Sequence, residues 1–341
     1  MEKNMNENFK KLNNRVVDSL NDTDLEKLNY LLSKIKDPTL VSGVGGSSIV
    51  ASFASKILLM KNMIITKCVE PRDLKYFKEF MNGYKNILAC SYSGANFGVE
   101  LAFDNNLRHY LLSSKENNEN GIISLNYICK DPEKSFISLA ATLIPCAILL
   151  NYYLDNDYQR IIDSTKEYDY NFDVNCDAFE IFTGFETLSA SKYLESTMVE
   201  AGIGIPVIHD KYSYCHGRST LSTTYNNIAI YFNLGTDLDK LLLNELTKYY
   251  KEVIVLDSKP TLLSEYNLLV KCMYLTKYIA SQKEKDLSGV DYNPIVKKLY
   301  RFKSGVWKKA QQINPKFIIF SWQTYHINVI VYLHFEKTGS A

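Results

Sequence analysis

The sequence has no excess of charge of either sign. Lysine and arginine number 39 against 38 aspartates and glutamates in 341 residues. No basic face of the size that non-specific nucleic-acid binding needs is available, so nucleic acid is not an expected partner. Paired cysteines are missing too. The seven present (Cys68, Cys90, Cys129, Cys146, Cys176, Cys215, Cys272) are scattered singly, without a Cys-x-x-Cys. Several lie inside apolar runs and read as buried reduced thiols. An odd count with no secretory leader argues against a disulfide framework and for a reducing cytoplasm. Residues 1–30 are charged and polar with helical periodicity, unlike a signal h-region or a membrane-spanning start. A long hydrophobic run is also lacking. Residues 137–154 come nearest, but Pro145 and Asn151 interrupt them and a spanning helix needs roughly 20 predominantly apolar residues, so the run reads as a buried helix and no membrane partner is expected. What is there is a globular composition, 46% hydrophobic and 23% charged, and length enough for two domains.

Along the chain, Phe9, Leu12, Val16, Val17 and Leu20, then a break over 21–24, then Leu25, Leu28, Leu31 and Leu32, predict two amphipathic helices. Thr23 is the N-cap of the second or its neighbour, with Asp24 and Glu26 favouring the dipole. Strands are expected over 39–41, 62–69, 87–90, 109–113 and 122–127, and helices over 49–60, 72–82, 97–105 and 139–154. Strands alternating with helices at this spacing imply an α/β fold with a parallel sheet and ligand sites beyond the carboxyl ends of the strands. A polar stretch, 155–177, reads as a helix and loop joining two halves. A second series follows: a strand over 178–183, a turn at Gly184, a helix over 189–200, a turn at His216, a strand over 227–233, a helix over 238–250, a strand over 252–257 and a helix over 264–281. Its order echoes the first, and internal duplication is the simplest account. Residues 317–333 are apolar and β-prone, yet broken by Ser321, Gln323, His326 and Asn328, and read as added strands rather than a membrane anchor. The expected organisation is N-terminal helices over 1–38, a first α/β domain over 39–154, a linker over 155–177, a second α/β domain with a tail over 178–300, and an unassigned segment over 301–341.

Two turns carry chemistry. Leu88 to Glu100 combines an apolar strand, the hydroxyl-rich turn Ser91-Tyr92-Ser93-Gly94-Ala95-Asn96 and a helix start. Backbone N–H groups, the helix dipole and the Ser91 and Ser93 hydroxyls would then converge as an anion cradle suited to phosphate. An ordinary Ser/Gly loop is the other reading. Ser42-Gly43-Val44-Gly45-Gly46-Ser47-Ser48 likewise joins a strand to a helix. It lacks the full G-x-G-x-x-G spacing and no ribose carboxylate follows at the expected distance, so a dinucleotide is not expected. Neither a cofactor nor a metal is called for.

The Ser91 to Asn96 turn resembles the Ser-x-Ser-Gly-x-Thr phosphosugar loop of the sugar isomerase (SIS) domain family. Asn96 stands where that family usually has Thr, and an amide can still bond a phosphate oxygen. The resemblance spans residues 40–300 and implies two SIS-type three-layer domains, each a parallel sheet flanked by helices. It assigns substrate binding to Ser91, Tyr92, Ser93 and Asn96 and the lining of the sugar site to Gly45, Gly46, Ser47 and Ser48. Ser138, at the end of a Glu133–Ser138 run that also resembles the family, either caps the helix that follows or touches ligand.

The second half extends the resemblance. Lys192 to Glu200 is similar to the helix carrying the catalytic carboxylate in double-SIS enzymes, notably the isomerase half of the glucosamine-fructose-6-phosphate aminotransferases. His216 follows Glu200 by sixteen residues, the family's spacing, within Tyr-Ser-Tyr-Cys-His-Gly-Arg. The implied roles are proton transfer between sugar C1 and C2 for Glu200 and help with ring opening for His216. The chemistry agrees: aldose–ketose interconversion through an enediol needs a positioned base, worth ~10²–10⁴-fold, and an imidazole gives and takes protons near neutrality. A surface carboxylate and a turn-bonded histidine are the plainer readings of the two. Glu195 could pair with Lys192 at i,i+3, and His209 has no family counterpart. Residues 291–300 resemble the tail that brings an imine-forming lysine, with Lys297 and Lys298 as rival candidates. The chain opens Met1-Glu2-Lys3 without a Cys nucleophile, so glutamine-dependent amination is not expected. The whole implies a cytoplasmic homodimer that is a phosphosugar isomerase or an aminosugar-phosphate deaminase acting on a hexose 6-phosphate. The alternatives are a fructosamine-phosphate deglycase and a non-catalytic phosphosugar regulator.

Overall fold

In the computed structural model, residues 7–76, 78–133, 135–221 and 226–289 are described, Phe80 in its backbone only, together with the backbone of 320–324 and 327–331. Residues 1–290 and 291–341 form two separate compact units. In the first, helix α1 (Leu12–Asp22) buries Leu12, Val16 and Leu20 at i,i+4 spacing. Helix α2 (Leu25–Ser33) is capped by Asp24, whose carboxylate accepts from the Lys27 N–H at 3.0 Å. Thr23 is the cap's neighbour, and its hydroxyl accepts the Ile128 N–H instead.

Five strands follow: β1 (Thr39–Ser42), β2 (Thr66–Val69), β3 (Asn86–Cys90), β4 (Arg108–Ser113) and β5 (Ile122–Asn126). They form one parallel sheet in the order β2-β1-β3-β4-β5. β1 and β3 are buried at every position, as strands covered by helices on both faces should be. The connecting helices are α3 (Gly46–Lys61), α4 (Pro71–Tyr76) and α5 (Phe97–Ala102), and after β5 come α6 (Ala140–Tyr153) and α7 (Tyr158–Ser164). The strand expected over 62–69 is shorter because Asn62 ends α3 and its amide donates to the Leu32 and Ile35 carbonyls. The helix expected over 72–82 divides into α4 and a 3₁₀ turn at Lys78–Met81. α6 is buried around almost its whole circumference, so the apolar run is a core helix. Among the described residues no helix is long and apolar enough to cross a membrane.

The second parallel sheet contains β6 (Ala178–Thr183), β7 (Ile205–Asp210), β8 (Asn227–Asn233) and β9 (Val253–Asp257) in the order β7-β6-β8-β9. Its helices are α8 (Leu188–Glu200), α9 (Asp237–Tyr249) and α10 (Leu262–Gln282). β7 is not anticipated from the sequence. Pro206 breaks its pattern, and it is tolerated because β7 lies at the edge of the sheet. In both sheets the first strand is internal, the second lies at its outer edge and the third pairs on the other side, so the two share one wiring.

A single apolar cluster runs from α1 through α3 and α6 to α8 and α10. Within it, Lys56 of α3 meets Glu265 of α10 at 2.6 Å, with the two side chains 4% and 1% exposed. The Ser189 N–H at the start of α8 donates to the same carboxylate at 2.8 Å. Burial pushes the Lys56 ammonium down and the Glu265 carboxyl up, against their mutual attraction. In the second unit, β10 (Phe320–Thr324) pairs antiparallel with β11 (Ile327–Val331).

Candidate functional site

β1 and β3 run side by side, Ser42 against Ala89, so their carboxyl ends open together. After β1, Gly45 takes a left-handed φ of +58° and leads into α3, whose N-cap makes no side-chain hydrogen bond. After β3, Ser91 is 3% exposed. Its Oγ accepts from the Gly94 N–H at 3.2 Å and from Asn96 Nδ2 at 3.1 Å, which leaves the hydroxyl hydrogen available to donate. Asn96 Oδ1 accepts the Val99 N–H at 3.0 Å and caps α5. Gly94 needs its φ of +68°, and a Cβ there would lie 3.2 Å from Ser113 Oγ.

Close approaches hold the turns together. A Cβ on Gly98, in the first turn of α5, would meet Val44 Cγ2 at 2.8 Å. One on Gly46 would meet Ser138 Cβ at 2.9 Å and Thr142 Oγ1 at 3.1 Å, so the start of α6 packs on the β1 turn. Of the two roles expected for Ser138, the cap is filled by Glu133, whose carboxylate accepts from the N–H groups of Leu139 (2.9 Å), Ala140 (2.6 Å) and Ala141 (3.2 Å). The Ser138 hydroxyl lies 2.8 Å from that of Thr142. Ser48 is committed locally, donating to the Gly45 carbonyl at 2.7 Å. Ser47 is half-buried, Ser93 is exposed, and the Tyr92 carbonyl is held by Ser114 N–H and Oγ. Burial, reinforced by Cys129, pushes the Tyr92 phenol well above its usual range.

α8 reaches this region from the second sheet. Its Tyr193 is fully buried, with no hydrogen-bond partner for the phenol among the described residues. Burial pushes that phenol well above its usual range, with the charges of Glu133, Cys272 and Glu200 adding to the rise. Glu200 is half-buried and accepts from Ser196 Oγ at 3.0 Å. Burial raises its carboxyl, the Ser196 bond opposes the rise and the charge of Glu195 adds to it. His216 is exposed on the loop after β7, and its N–H bonds the Ser213 carbonyl. Among the described residues no hydrogen bond, ion pair or ring contact joins its ring to Glu200. Lys297 and Lys298 lie outside the described residues.

The buried polar residues of the second sheet are absent from the sequence expectations. His209 of β7 pairs across the strands with Phe182, and its Nε2 lies 2.8 Å from Glu180 Oε2, both side chains 0% exposed. A glutamate inside Ala-Phe-Glu-Ile-Phe-Thr was the available signal. In the β8–α9 turn, the counterpart of the Ser91 turn, Asp239 Oδ2 accepts from the N–H groups of Leu234 and Thr236, each at 3.0 Å, and from Thr236 Oγ1 at 2.8 Å. Its Oδ1 takes Lys211 Nζ at 2.6 Å and Tyr231 Oη at 2.7 Å. Burial alone would raise this carboxyl; Lys211, Tyr231 and Thr236 outweigh it and hold it down to about 2. Among the described residues no group of three or more His, Cys, Asp or Glu side chains could hold a metal ion.

No family model matches the chain. No curated protein matches it in sequence either. Solved structures do match in shape. The tagatose-6-phosphate ketose/aldose isomerase of Escherichia coli superposes with a TM-score of 0.65 at 14% identity, over 84% of this chain and 95% of that one. The C-terminal domain of glucosamine-fructose-6-phosphate aminotransferase from Francisella tularensis gives 0.62 at 13% identity, over 84% and 96%. Glucosamine-6-phosphate deaminase from Thermotoga maritima gives 0.60 at 17% identity, over 80% and 95%. Two parallel sheets of five and four strands, flanked by helices, thus give this chain the α/β fold of the SIS-domain structures.

Proposed function

We propose that the chain is a double-SIS phosphosugar enzyme, an aldose–ketose isomerase or aminosugar-phosphate deaminase acting on a hexose 6-phosphate in the cytoplasm. The observation that carries this reading is the meeting of the β1 turn, the Ser91 turn and Ser138 at adjacent strand ends. The phosphate sits over the Ser91 turn, where the Ser91 hydroxyl, held by Gly94 and Asn96, donates to it and exposed Ser93 adds a second donor. Glu200 takes the proton from C2 and returns it to C1 through the enediol, or through the enamine of an amino sugar. No resident cofactor is needed for that transfer. A non-catalytic phosphosugar regulator is the second reading, favoured by the lack of contact between the His216 ring and Glu200.

The phosphate cradle has a direct test. Ser91→Ala with Ser93→Ala removes two hydrogen bonds to a charged group, at about 1.5–3 kcal/mol each. Calorimetry should then show glucose 6-phosphate or fructose 6-phosphate binding weakened by roughly 3 kcal/mol or more, while the unphosphorylated sugars, already weak, hardly change. Equal losses for both kinds of sugar would remove the cradle from the reading.

A further inference from the structure

Residues 127–133 leave β5 and carry the chain toward α6, and they act on both turns of the candidate site. Cys129 reaches the Ser91 turn, where its thiol shares a hydrogen bond with the Tyr92 phenol. Glu133 reaches the β1 turn at one remove. Its carboxylate holds the N–H groups of Leu139, Ala140 and Ala141, and that end of α6 presses Ser138 and Thr142 so near Gly46 that a Cβ there has no room. The Ser135 hydroxyl and the Phe136 N–H, closer to α6, donate to the Leu287 carbonyl. α1, which belongs to neither sheet, holds the first part of the same loop. Thr23, just past its end, accepts the Ile128 N–H at 3.0 Å, and Arg15 Nε donates to Asp131 Oδ2 at 3.2 Å.

Arg15 is a buried charge, its side chain 5% exposed, and a guanidinium withdrawn from water needs acceptors and opposite charge around it. Its Nη1 donates to Asn8 Oδ1 at 3.1 Å and to the Asn8 carbonyl at 3.4 Å. Two carboxylates supply the charge, half-exposed Asp131 and buried Glu133. Burial raises the Glu133 carboxyl, against the three N–H bonds and the charge of Arg15. The ionised carboxylate is the form that only accepts, so the guanidinium favours the state that caps α6. The exposed pairs nearby, Lys130 with Asp22 and Lys11 with Asp131, hold the loop much less firmly.

We propose that Arg15 is a positioning residue of the candidate site: from α1 it fixes residues 127–133, which hold the Ser91 turn through Cys129 and the β1 turn through Glu133 and α6. Only the consequence for ligand rests on the proposed function; the coupling of these segments does not.

Amide hydrogen exchange in the full-length protein, followed by mass spectrometry, reads the coupling. Arg15→Met keeps an apolar stem and removes the charge. Exchange should become about tenfold faster at Leu139 to Ala141 and in peptides spanning 43–48 and 91–96, while peptides from β8 exchange as in the wild type. Unchanged exchange in all three places overturns the proposal. A rise at the start of α6 alone would confine Arg15 to that cap and overturn its part in the site, and an equal rise in β8 would reduce it to a general loss of stability. Should Arg15→Met not fold, Asp131→Asn, at a half-exposed position, frees Arg15 from the loop and must speed exchange at the same three places, or the proposal falls. Calorimetry on Arg15→Met should then give a Kd for fructose 6-phosphate about tenfold higher, at an unchanged number of sites per chain. A wild-type Kd at fewer sites is what destabilisation alone produces, and it would overturn the positioning role. A wild type that binds no phosphosugar removes the proposed function and leaves the exchange result to decide on Arg15.

Discussion

Replacing Glu200 by Gln should leave hexose 6-phosphate binding nearly intact and slow the exchange of C1 and C2 protons with deuterated water by ~10²-fold or more. The substitution keeps the side chain's shape while removing the base. A base works only when deprotonated, and burial raises this carboxyl, so activity should fall away on acidification at a higher pH than for an ordinary glutamate. The Ser196 hydroxyl bond holds the carboxyl down. Ser196→Ala should therefore move the acid limb of the rate profile further up. Exchange followed by NMR over hexose and hexosamine 6-phosphates also sorts the chemistries, since ammonia release marks a deaminase and amino-acid release from fructosamine phosphates a deglycase. A wild type that binds a phosphosugar tightly, yet exchanges no proton and releases no amine from any of them, would leave only the regulator.

The largest stability effect should come from Lys56. Lys56→Met strands the Glu265 carboxylate, 1% exposed, without its ammonium partner. Removing one side of a buried pair costs about 3–5 kcal/mol, because the remaining charge is left uncompensated. At roughly 2–4 °C per kcal/mol for a domain of 150–250 residues, the midpoint of thermal unfolding should drop by about 10 °C. Lys56→Met with Glu265→Leu should recover most of the loss, since well-packed apolar replacements of buried pairs are often neutral. A single variant that melts with the wild type would show that the pair is not what holds α3 to α10.

These two expectations differ in how far they can be read from the sequence. β1 and β3 are legible because short apolar runs end in Gly and Ser turns, and the repeated strand order shows through despite little self-similarity. The Ser91 turn is equally plain. Lys56 gives no signal, because a lone lysine in a helix reads as surface until α10 brings Glu265 to it. Glu133 hides for a similar reason: its carboxylate caps α6 from six residues upstream of Leu139, outside the i,i+3 spacing that capping patterns use. β7 is masked by Pro206, and with it the pairing of His209 to Glu180. Whether the His216 ring meets Glu200 depends on the path of the loop after β7, which the sixteen-residue spacing does not encode.

The shared wiring of the two sheets raises the matter of stoichiometry. A chain with two parallel sheets of one strand order carries two turns that could each cradle a phosphate, one after β3 and one after β8. In the second, Asp239 already receives two backbone N–H groups, a threonine hydroxyl, a tyrosine hydroxyl and a lysine ammonium, much the set of donors a phosphate would draw. The protein has in effect supplied its own permanent anion there, so a phosphosugar titration should saturate at one equivalent per chain. Saturation at two would mean that ligand displaces Asp239. With a single occupied cradle, the proposed function would have the first sheet bind the phosphate and the second contribute the helix that carries Glu200.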